Sequence, residues 1–202
     1  MASMSDEYVI RNATRNDARE IAKLIEISSD GVASIEWEEE ADKTGVSPLD
    51  IGEQTYQSDT GDYSWKNCVV VEKDNAVVGM LLTFACPDGP PRNPDERPSS
   101  DDNNVLAPYM YLEEPNSWYI CGVAMYPDFR GQGIGGKMMD IAHEQAKENG
   151  YDKASLIVFK QNTGAVRLYE RLGYQTADDS PVVPHPLIRY MGDALLMVRD
   201  LQ

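Results

Sequence analysis

A glycine-rich turn between an apolar segment and a helix-like segment is the first feature of this sequence that could do chemistry. Four of the six residues from Gly131 to Gly136 are glycines, and Arg130 and Lys137 flank them. At the start of a helix the backbone N–H groups lack intrahelical acceptors, and the helix dipole adds positive potential. Glycines also let a phosphate approach that backbone closely. The turn therefore predicts an anion site, although the same glycines would also suit a plain chain reversal.

Two nucleotide-binding patterns fit this turn in part. Gly131, Gly133 and Gly136 satisfy the dinucleotide pattern G-x-G-x-x-G, but the next strand does not end in the acidic residue that would hold a ribose. The residues from Gly131 to Lys137 also spell G-x-x-x-x-G-K. However, Met138 stands where a P-loop needs Ser or Thr to hold Mg²⁺. Each nucleotide pattern thus fails at its second requirement.

A third pattern accounts for the turn together with a segment further along the chain. The run R-G-Q-G-I-G at 130–135 follows the strand end V-A-M-Y-P at 123–127, and N-T-G-A-V-R-L-Y-E-R-L-G-Y occupies 162–174. In this order, separated by one helix and one strand, the segments resemble the signatures of the GNAT superfamily of N-acetyltransferases. The resemblance covers residues 118–174.

The resemblance implies acetyl-CoA as a co-substrate and no metal. In that family the glycine turn cradles the diphosphate of coenzyme A, while the strand before it pairs its backbone with the pantetheine arm and polarises the acetyl carbonyl. The strand at 154–159 would form the other wall of the cleft. The cofactor-binding residues that the resemblance implies are Val123, Ala124, Met125, Arg130, Gly131, Gln132, Gly133, Ile134, Gly135, Gly136 and Asn162.

Tyr169 matches the family position of the general acid that protonates the departing thiolate. A thiol has a pKa of about 8.5 and a tyrosine one of about 10, so a phenol is a suitable proton donor. Core packing is the alternative for Tyr169, because it lies on a helix with Ala165, Leu168 and Leu172. Asn162 matches a family contact to the cofactor arm, and it is equally suited to cap the helix that begins at Thr163.

The residues that serve as general base in parts of the family have no glutamate counterpart in this sequence. Some bacterial relatives that modify protein N-termini have a Glu five residues before the motif Asn, where this chain has Ile157. The histone-modifying branch has a Glu four residues before the V-A-x segment, where this chain has Tyr119. Tyr119 is therefore the candidate, relaying a proton through water, and a core-facing strand aromatic is the alternative. Glu113 and Glu114 would either attract an amine or be simply solvated, and water alone could take the proton.

The acceptor pocket would come from residues 28–58 and 175–193, by analogy with the family. Both stretches combine carboxylates with aromatic or imidazole rings, which suits an ammonium group. A solvated acidic helix face is the plain alternative for most of the glutamates. The residues concerned are Asp30, Glu36, Trp37, Glu38, Glu39, Glu40, Tyr56, Asp178, Asp179 and His185.

The composition is that of an acidic globular protein. The chain has 202 residues, with 18 Lys and Arg against 34 Asp and Glu, for a net charge of −16. This charge argues against nucleic-acid partners and against docking on anionic membranes, and it favours cationic small partners. The three cysteines and two histidines have neither disulfide-framework nor metal-site spacing. The first residues show no signal peptide and no apolar run has transmembrane length, so a cytoplasmic protein is expected.

Hydrophobic periodicity predicts alternating strands and helices. Predicted strands lie at 8–12, 68–72, 77–84, 118–125, 154–159 and 194–198. Helices are expected after a Thr14–Asp17 capping box, as one or two short helices within 34–58, and at 133–149 and 163–172. Residues 87–104 have the composition of a mobile insertion.

These observations predict one GNAT domain over residues 1–202. Its expected fold class is α/β (α+β): a mixed, mostly antiparallel sheet with a splayed parallel central strand pair and helices on both faces. The expected activity is acetyl transfer from acetyl-CoA to a primary amine of a small molecule or peptide, by direct attack in a ternary complex. A non-catalytic CoA-binding module, a transferase for a different acyl-CoA and a nucleotide-binding protein are the alternatives. A homodimer is one expectation, since dimers are common in the family.

Overall fold

The computed structural model describes residues 8–90, 93–98 and 106–201, and within them seven strands form one mixed sheet. The strands are β1 (Val9–Asn12), β2 (Cys68–Lys73), β3 (Ala76–Cys86), β4 (Ser117–Met125), β5 (Lys153–Phe159), β6 (Gln175–Pro181) and β7 (Asp193–Asp200). Their order is β1-β2-β3-β4-β5-β7-β6. The sheet is antiparallel except for the parallel neighbours β4 and β5, which confirms the predicted mixed sheet with one parallel pair.

The helices of the described residues match the predicted ones, with one short addition. They are α1 (Ala18–Ser28), α2 (Val32–Thr44), α3 (Pro48–Tyr56), α4 (Ala107–Met110), α5 (Ile134–Glu148) and α6 (Thr163–Arg171). The polar stretch 34–58 thus holds two helices, and Pro48 occupies the first turn of the second one. The four-residue helix α4 was not predicted. None of these helices is long and apolar enough to cross a membrane.

The fold divides into two compact units. The first comprises the described residues up to Thr83 together with Gly122–Met138, and the second comprises Phe84–Cys121 and the described residues from Met139 onward. Residues far apart in the sequence thus contribute to each unit. The glycine turn belongs to the first unit, whereas Tyr169 belongs to the second.

In the first unit, α1 begins at a polar cluster and buries its apolar face. The Asp17 carboxylate accepts hydrogen bonds from the backbone N–H and the hydroxyl of Thr14, at 2.7 and 2.9 Å. It also pairs with the Arg11 guanidinium at 2.8 Å. These bonds satisfy groups that the start of the helix leaves open, as expected for a capping box. The buried residues of the helix are Ala18, Ile21, Ala22, Leu24 and Ile25.

In the second unit, β5 lies between two neighbouring strands. Its parallel register with β4 pairs Trp118 with Ala154 and Tyr119 with Ser155. On its other side, β5 pairs antiparallel with β7 over all seven residues from Lys153 to Phe159. The consecutive residues Ala154, Ser155 and Leu156 are all buried, so both faces of β5 are covered, and the strand therefore lacks the alternation of a half-exposed strand.

The stretch 175–193, in which we predicted no strand, contains the strand β6. β6 pairs antiparallel with β7, with an irregularity between Thr176 and Asp178. Its side chains are mostly exposed, because β6 is the last strand in the sheet order. An edge strand needs no apolar alternation to hold its place, so its polar sequence gave no signal.

The expected insertion at 87–104 is described in part, and its mobility stays a prediction. Residues 91–92 and 99–104 lie outside the described residues. Within 93–98, the guanidinium of Arg97 pairs with Asp178 of β6 at 2.7 Å. The Tyr111 hydroxyl donates to the Asn93 carbonyl at 2.5 Å. The described part of the segment is therefore attached to the second unit by polar contacts.

Candidate active site

The glycine turn leads from the end of β4 into α5, as predicted. A short 3-10 turn at Pro127–Phe129 reverses the chain, and Gly131 and Gly133 follow with φ angles of +76° and +78°. Side-chain-bearing residues rarely adopt such angles, so the turn itself requires these two glycines. The helix then starts at Ile134, which is 5% exposed and anchors the turn in the first unit.

Gly136 differs from these two because it does not need a left-handed φ. It lies in the first turn of α5, where a Cβ would meet no protein atom within 4 Å. Open space also lies beside Gly131 and Gly133. The first N–H groups of a helix have no intrahelical acceptor. The start of α5 therefore offers donors and positive dipole potential to open space, as an anion site requires.

Arg130 has a structural bond that its sequence position did not indicate. We expected it only as a cation near a bound phosphate, but its Nε donates to the Met125 carbonyl at 2.9 Å. This bond joins the end of β4 to the start of the glycine turn. The lysine at the other end of the turn, Lys137, is exposed. Gln132 is also exposed, and its side-chain carbonyl accepts from the Tyr8 hydroxyl at 2.9 Å.

The end of β4 lies tightly against β3 within the first unit. Ala124 and Met125 are 7% and 6% exposed, and Val123 is half-buried. A Cβ placed on Gly79 of β3 would overlap the Met125 sulfur and would lie 2.9 Å from the Ala124 carbonyl oxygen. Glycine at position 79 is therefore what allows this close approach.

Tyr126, the residue after β4, makes a contact that the sequence did not reveal. Its hydroxyl donates to the Glu20 carboxylate of α1 at 2.7 Å. Burial and this hydrogen bond raise the pKa of Tyr126, so its hydroxyl stays protonated at neutral pH. Burial opposes ionisation of Glu20, but the bonds from Lys23 and Tyr126 outweigh it and lower the pKa of Glu20. The pair fixes the turn to α1, and nothing in the sequence links two positions so far apart.

In the second unit, α6 carries Tyr169 as the sequence predicted. The Asn162 side chain accepts from the Ala165 backbone N–H at 3.3 Å, so Asn162 caps the helix. Its contact with a cofactor stays a prediction. Tyr169 is 8% exposed, and its ring centroid lies 5.9 Å from that of Tyr174. Gly173, with φ +87°, ends the helix and returns the chain toward Tyr169.

Tyr119 and the neighbouring glutamates are also placed within the second unit. Tyr119 is 8% exposed, and its ring lies 5.4 Å from that of Phe84. Tyr119 thus packs as expected for a strand aromatic that faces the core. Its role as a base stays a prediction. Glu114 pairs with Lys153 at 2.9 Å, so it is partly neutralised rather than simply solvated.

The residues that we considered for binding the acceptor amine differ in their burial. Trp37 and Tyr56 are 6% and 2% exposed and belong to the core of the first unit. The four glutamates on α2 are exposed, as a solvated helix face would be. Asp178 of β6 is engaged by Arg97. Among the described residues, no group of three His, Cys, Asp or Glu side chains is placed to hold a metal ion.

The chain is similar to known acetyltransferases. The model of the acetyltransferase (GNAT) family matches residues 32–174. A thialysine N-epsilon-acetyltransferase from Bos taurus is 26% identical over 173 residues, which are 83% of this chain and 84% of that protein. A mycothiol acetyltransferase from Corynebacterium aurimucosum is 39% identical over 61 residues, 30% of this chain. The matched stretch spans only 19% of the length of the mycothiol enzyme.

A comparison of structures gives the same fold. A GNAT family acetyltransferase from Elizabethkingia anophelis, solved with acetyl-CoA bound, superposes with a TM-score of 0.56 at 15% identity, covering 98% of this chain and 100% of that one. The family match extends over well more than half of the chain and includes the glycine turn and the whole of α6. The chain therefore belongs to the acetyltransferase (GNAT) family.

Proposed function

We propose that this protein binds acetyl-CoA and transfers its acetyl group to a primary amine. The observation that carries the proposal is the glycine turn at the start of α5. Its residues have open space beside them, and one of them, Gly136, has no conformational need to be glycine. In a chain of this family, that geometry suits the diphosphate of coenzyme A.

The diphosphate would be bound by the backbone N–H groups of residues 130–136. This arrangement explains how a protein with a net charge of −16 could bind a polyanion, because the site is local and consists of backbone donors. The pantetheine arm would run along the backbone of Val123, Ala124 and Met125. The relative from Elizabethkingia anophelis, which has acetyl-CoA bound and shares the fold, supports this choice of co-substrate.

The transfer would proceed by direct attack. The amine nitrogen forms a bond to the thioester carbonyl carbon, and backbone donors stabilise the developing oxyanion. The carbon–sulfur bond then breaks and releases a thiolate. Tyr169 gives its proton to that sulfur, while the amine proton passes to water, with Tyr119 as the candidate relay. The Tyr169 phenolate then regains a proton from water. Tyr169 is thus the proposed general acid, and its position in the signature-like segment 162–174 supports the assignment.

The acceptor would be an amine whose protonated form is cationic. The strongly negative net charge favours such a partner over an anionic one. The relative from Bos taurus, which aligns over most of both chains, is named for acetylating the ε-amine of thialysine. A small aliphatic amine is therefore the first class to screen.

Calorimetric titration with acetyl-CoA tests the cofactor half of the proposal, with ATP and NAD as controls. We expect binding of acetyl-CoA alone. Binding of ATP or NAD without binding of acetyl-CoA would overturn the proposal and would favour a nucleotide site at the glycine turn.

The acetyl-transfer half of the proposal is tested by following the release of free thiol during an amine screen. Wild-type protein should release CoA in the presence of an accepted amine, and Tyr169→Phe should release it about tenfold more slowly or worse.

A further inference from the structure

Three side chains of the second unit, two of them buried and one half-buried, form a hydrogen-bonded series next to Tyr169. They are His143 of α5, Tyr174 just after α6 and Arg199 of β7. The His143 Nε2 lies 2.8 Å from the Tyr174 hydroxyl oxygen. The His143 Nδ1 lies 3.2 Å from Nη1 of Arg199. His143 and Tyr174 are 7% and 2% exposed, so solvent does not compete strongly for these bonds.

The direction of the hydrogen bonds in this series follows from the donor properties of arginine. A guanidinium only donates, so Nδ1 of His143 must accept from Arg199. Burial and the charge of Arg199 lower the pKa of His143 to about 4, which keeps the imidazole neutral at pH 7. Its one proton is then on Nε2 and is donated to the Tyr174 oxygen. Arg199 therefore donates to His143, and His143 donates to the Tyr174 hydroxyl oxygen.

Tyr174 is in turn tied to Tyr169. The chain reversal at Gly173 brings the Tyr174 N–H within 3.0 Å of the Tyr169 carbonyl oxygen, and the two rings lie 5.9 Å apart, tilted by 60°. The Tyr174 ring also lies 5.7 Å from the His143 ring, so the ring takes part in the packing. The hydrogen bond to His143 requires the Tyr174 hydroxyl in addition.

We propose that Tyr174, fixed by His143 and Arg199, is a positioning residue that orients the Tyr169 phenol for proton transfer. The inference rests on the proposed role of Tyr169 as general acid. A buried ring without a hydrogen bond can shift and rotate within its packing site. A Tyr174 ring that is hydrogen-bonded through its hydroxyl restricts the orientations open to the neighbouring Tyr169 ring. A general acid depends on a fixed orientation toward the atom that it protonates. The hydrogen-bonded series Arg199–His143–Tyr174 thus acts on catalysis through Tyr169 and makes no contact with substrate.

A double-mutant cycle distinguishes this role from a merely structural one. Tyr174→Phe keeps the ring and removes the hydroxyl. We expect kcat to fall about fivefold, the equivalent of a coupling energy near 1 kcal/mol, with KM for acetyl-CoA unchanged. In a Tyr169→Phe background the same substitution should cause no further loss, because the residue it orients no longer carries a proton. An equal loss of kcat in both backgrounds, or no loss in the first, would overturn the proposal.

Two variants at position 143 test the hydrogen bonds that join Arg199, His143 and Tyr174. His143→Gln keeps an acceptor for Arg199 and a donor for Tyr174, so it should retain at least half of the wild-type kcat. His143→Leu removes both and should match Tyr174→Phe. Wild-type kcat in the leucine variant would contradict the proposal. If the leucine variant fails to fold, the glutamine variant and the cycle still decide the matter.

The results that would refute the proposed function differ from those that would refute only the role of Tyr174. Wild-type protein that neither binds nor consumes acetyl-CoA would refute the transferase itself. An active wild type whose Tyr169→Phe variant is equally active would refute the role of Tyr169 as the acid, and the positioning role with it. An active wild type with a strongly impaired Tyr169→Phe and an additive cycle would refute only the role of Tyr174.

Discussion

At the scale of single residues, the glycines of the turn have two different physical reasons to be glycine. Gly131 and Gly133 have left-handed φ angles, so the fold alone explains them. Gly136 sits in a helix without such an angle and with open space beside it. Alanine is favoured over glycine in a helix. We propose the close approach of a ligand as the reason for glycine at position 136.

Gly136→Ala should therefore weaken the binding of acetyl-CoA without lowering the stability of the fold. The added methyl group meets no protein atom, so we expect the thermal midpoint to stay unchanged or to rise slightly. The same methyl group would stand where the diphosphate approaches, so the Kd for acetyl-CoA should rise about tenfold or more. Calorimetry and a thermal melt on the same sample measure both quantities.

Gly89→Ala is the matched control for this prediction. Its added Cβ would meet Pro115 at an ordinary 3.6 Å, and the position is remote in sequence from the turn. We expect neither affinity nor stability to change. Unaltered acetyl-CoA affinity in Gly136→Ala would mean that the diphosphate does not approach this part of the turn.

Asp17 links the stability of the first unit to pH. The bond from Arg11 lowers the pKa of Asp17, burial opposes this, and the bonds from Thr14 add to the lowering. A lowered pKa in the folded state means that the carboxylate stabilises the fold above its unfolded pKa of about 3.9. That contribution is lost as the pH falls through the folded pKa. Asp17→Asn should therefore lower the free energy of unfolding at pH 7 by about 2 kcal/mol.

Urea denaturation of both proteins from pH 7 down to about pH 3 checks the sign of this effect. The stability difference between wild type and Asp17→Asn should be largest at pH 7 and should shrink below about pH 4. Asp42→Asn, an exposed carboxylate on α2, is the control and should show no such difference. A difference that stays constant with pH would show that Asp17 acts by shape and not by charge.

At the scale of elements, the approach of β3 to β4 determines the position of the strand end that we propose for the pantetheine arm. Gly79 lies so close to Ala124 and Met125 that a Cβ would overlap both. The Ala124 carbonyl belongs to the backbone and cannot move without moving β4. The register of the two strands and the geometry of the proposed site therefore depend on one missing side chain.

Gly79→Ala should thus lower both stability and affinity. Overpacking of this kind typically costs about 1–3 kcal/mol. Because the strain falls on Ala124 and Met125, the Kd for acetyl-CoA should rise in the folded variant as well. Urea denaturation and calorimetry give the two values, with Gly89→Ala again as the reference. An unchanged unfolding midpoint would indicate that β4 yields to the methyl group without cost.

The sequence predicted the elements that are defined by periodicity or by local chemistry. The apolar runs of β2, β4 and β5 and the amphipathic face of α1 are visible without a structure. The same holds for Asn162 and for the Thr14–Asp17 box, whose bonds join neighbours in the chain. β6 was missed because an exposed edge strand is held by pairing with β7 and has no apolar pattern of its own.

The contacts that shape the candidate site were less predictable. The Arg130 bond to the Met125 carbonyl, the Tyr126 bond to Glu20 and the His143 bond to Arg199 all depend on how distant elements meet or on how a turn closes. Residue type alone indicated a cation, an aromatic residue and an isolated histidine. Only the tertiary structure gives these side chains their partners, so the sequence indicates which segments to consider for the site but not the bonds that hold them in place.

At the scale of the whole molecule, the net charge of −16 creates a long-range field. Such a field raises the local concentration of cations and speeds their association, and salt screens it over about 10 Å at 0.1 M. The proposed acceptor is an ammonium ion before it reacts. Its capture should therefore depend on ionic strength, whereas the chemical step in the bound complex should depend on it much less.

Two accepted amines that differ in charge would test this dependence. Between about 0.02 and 0.3 M salt, the KM of an amine with two ammonium groups should rise about threefold or more, and that of an amine with one should rise less. The kcat of each amine should stay constant, because the field acts on encounter and not on bond breaking. Identical salt dependence for the two amines would mean that the acidic surface does not guide the acceptor, and that a local pocket determines its recognition.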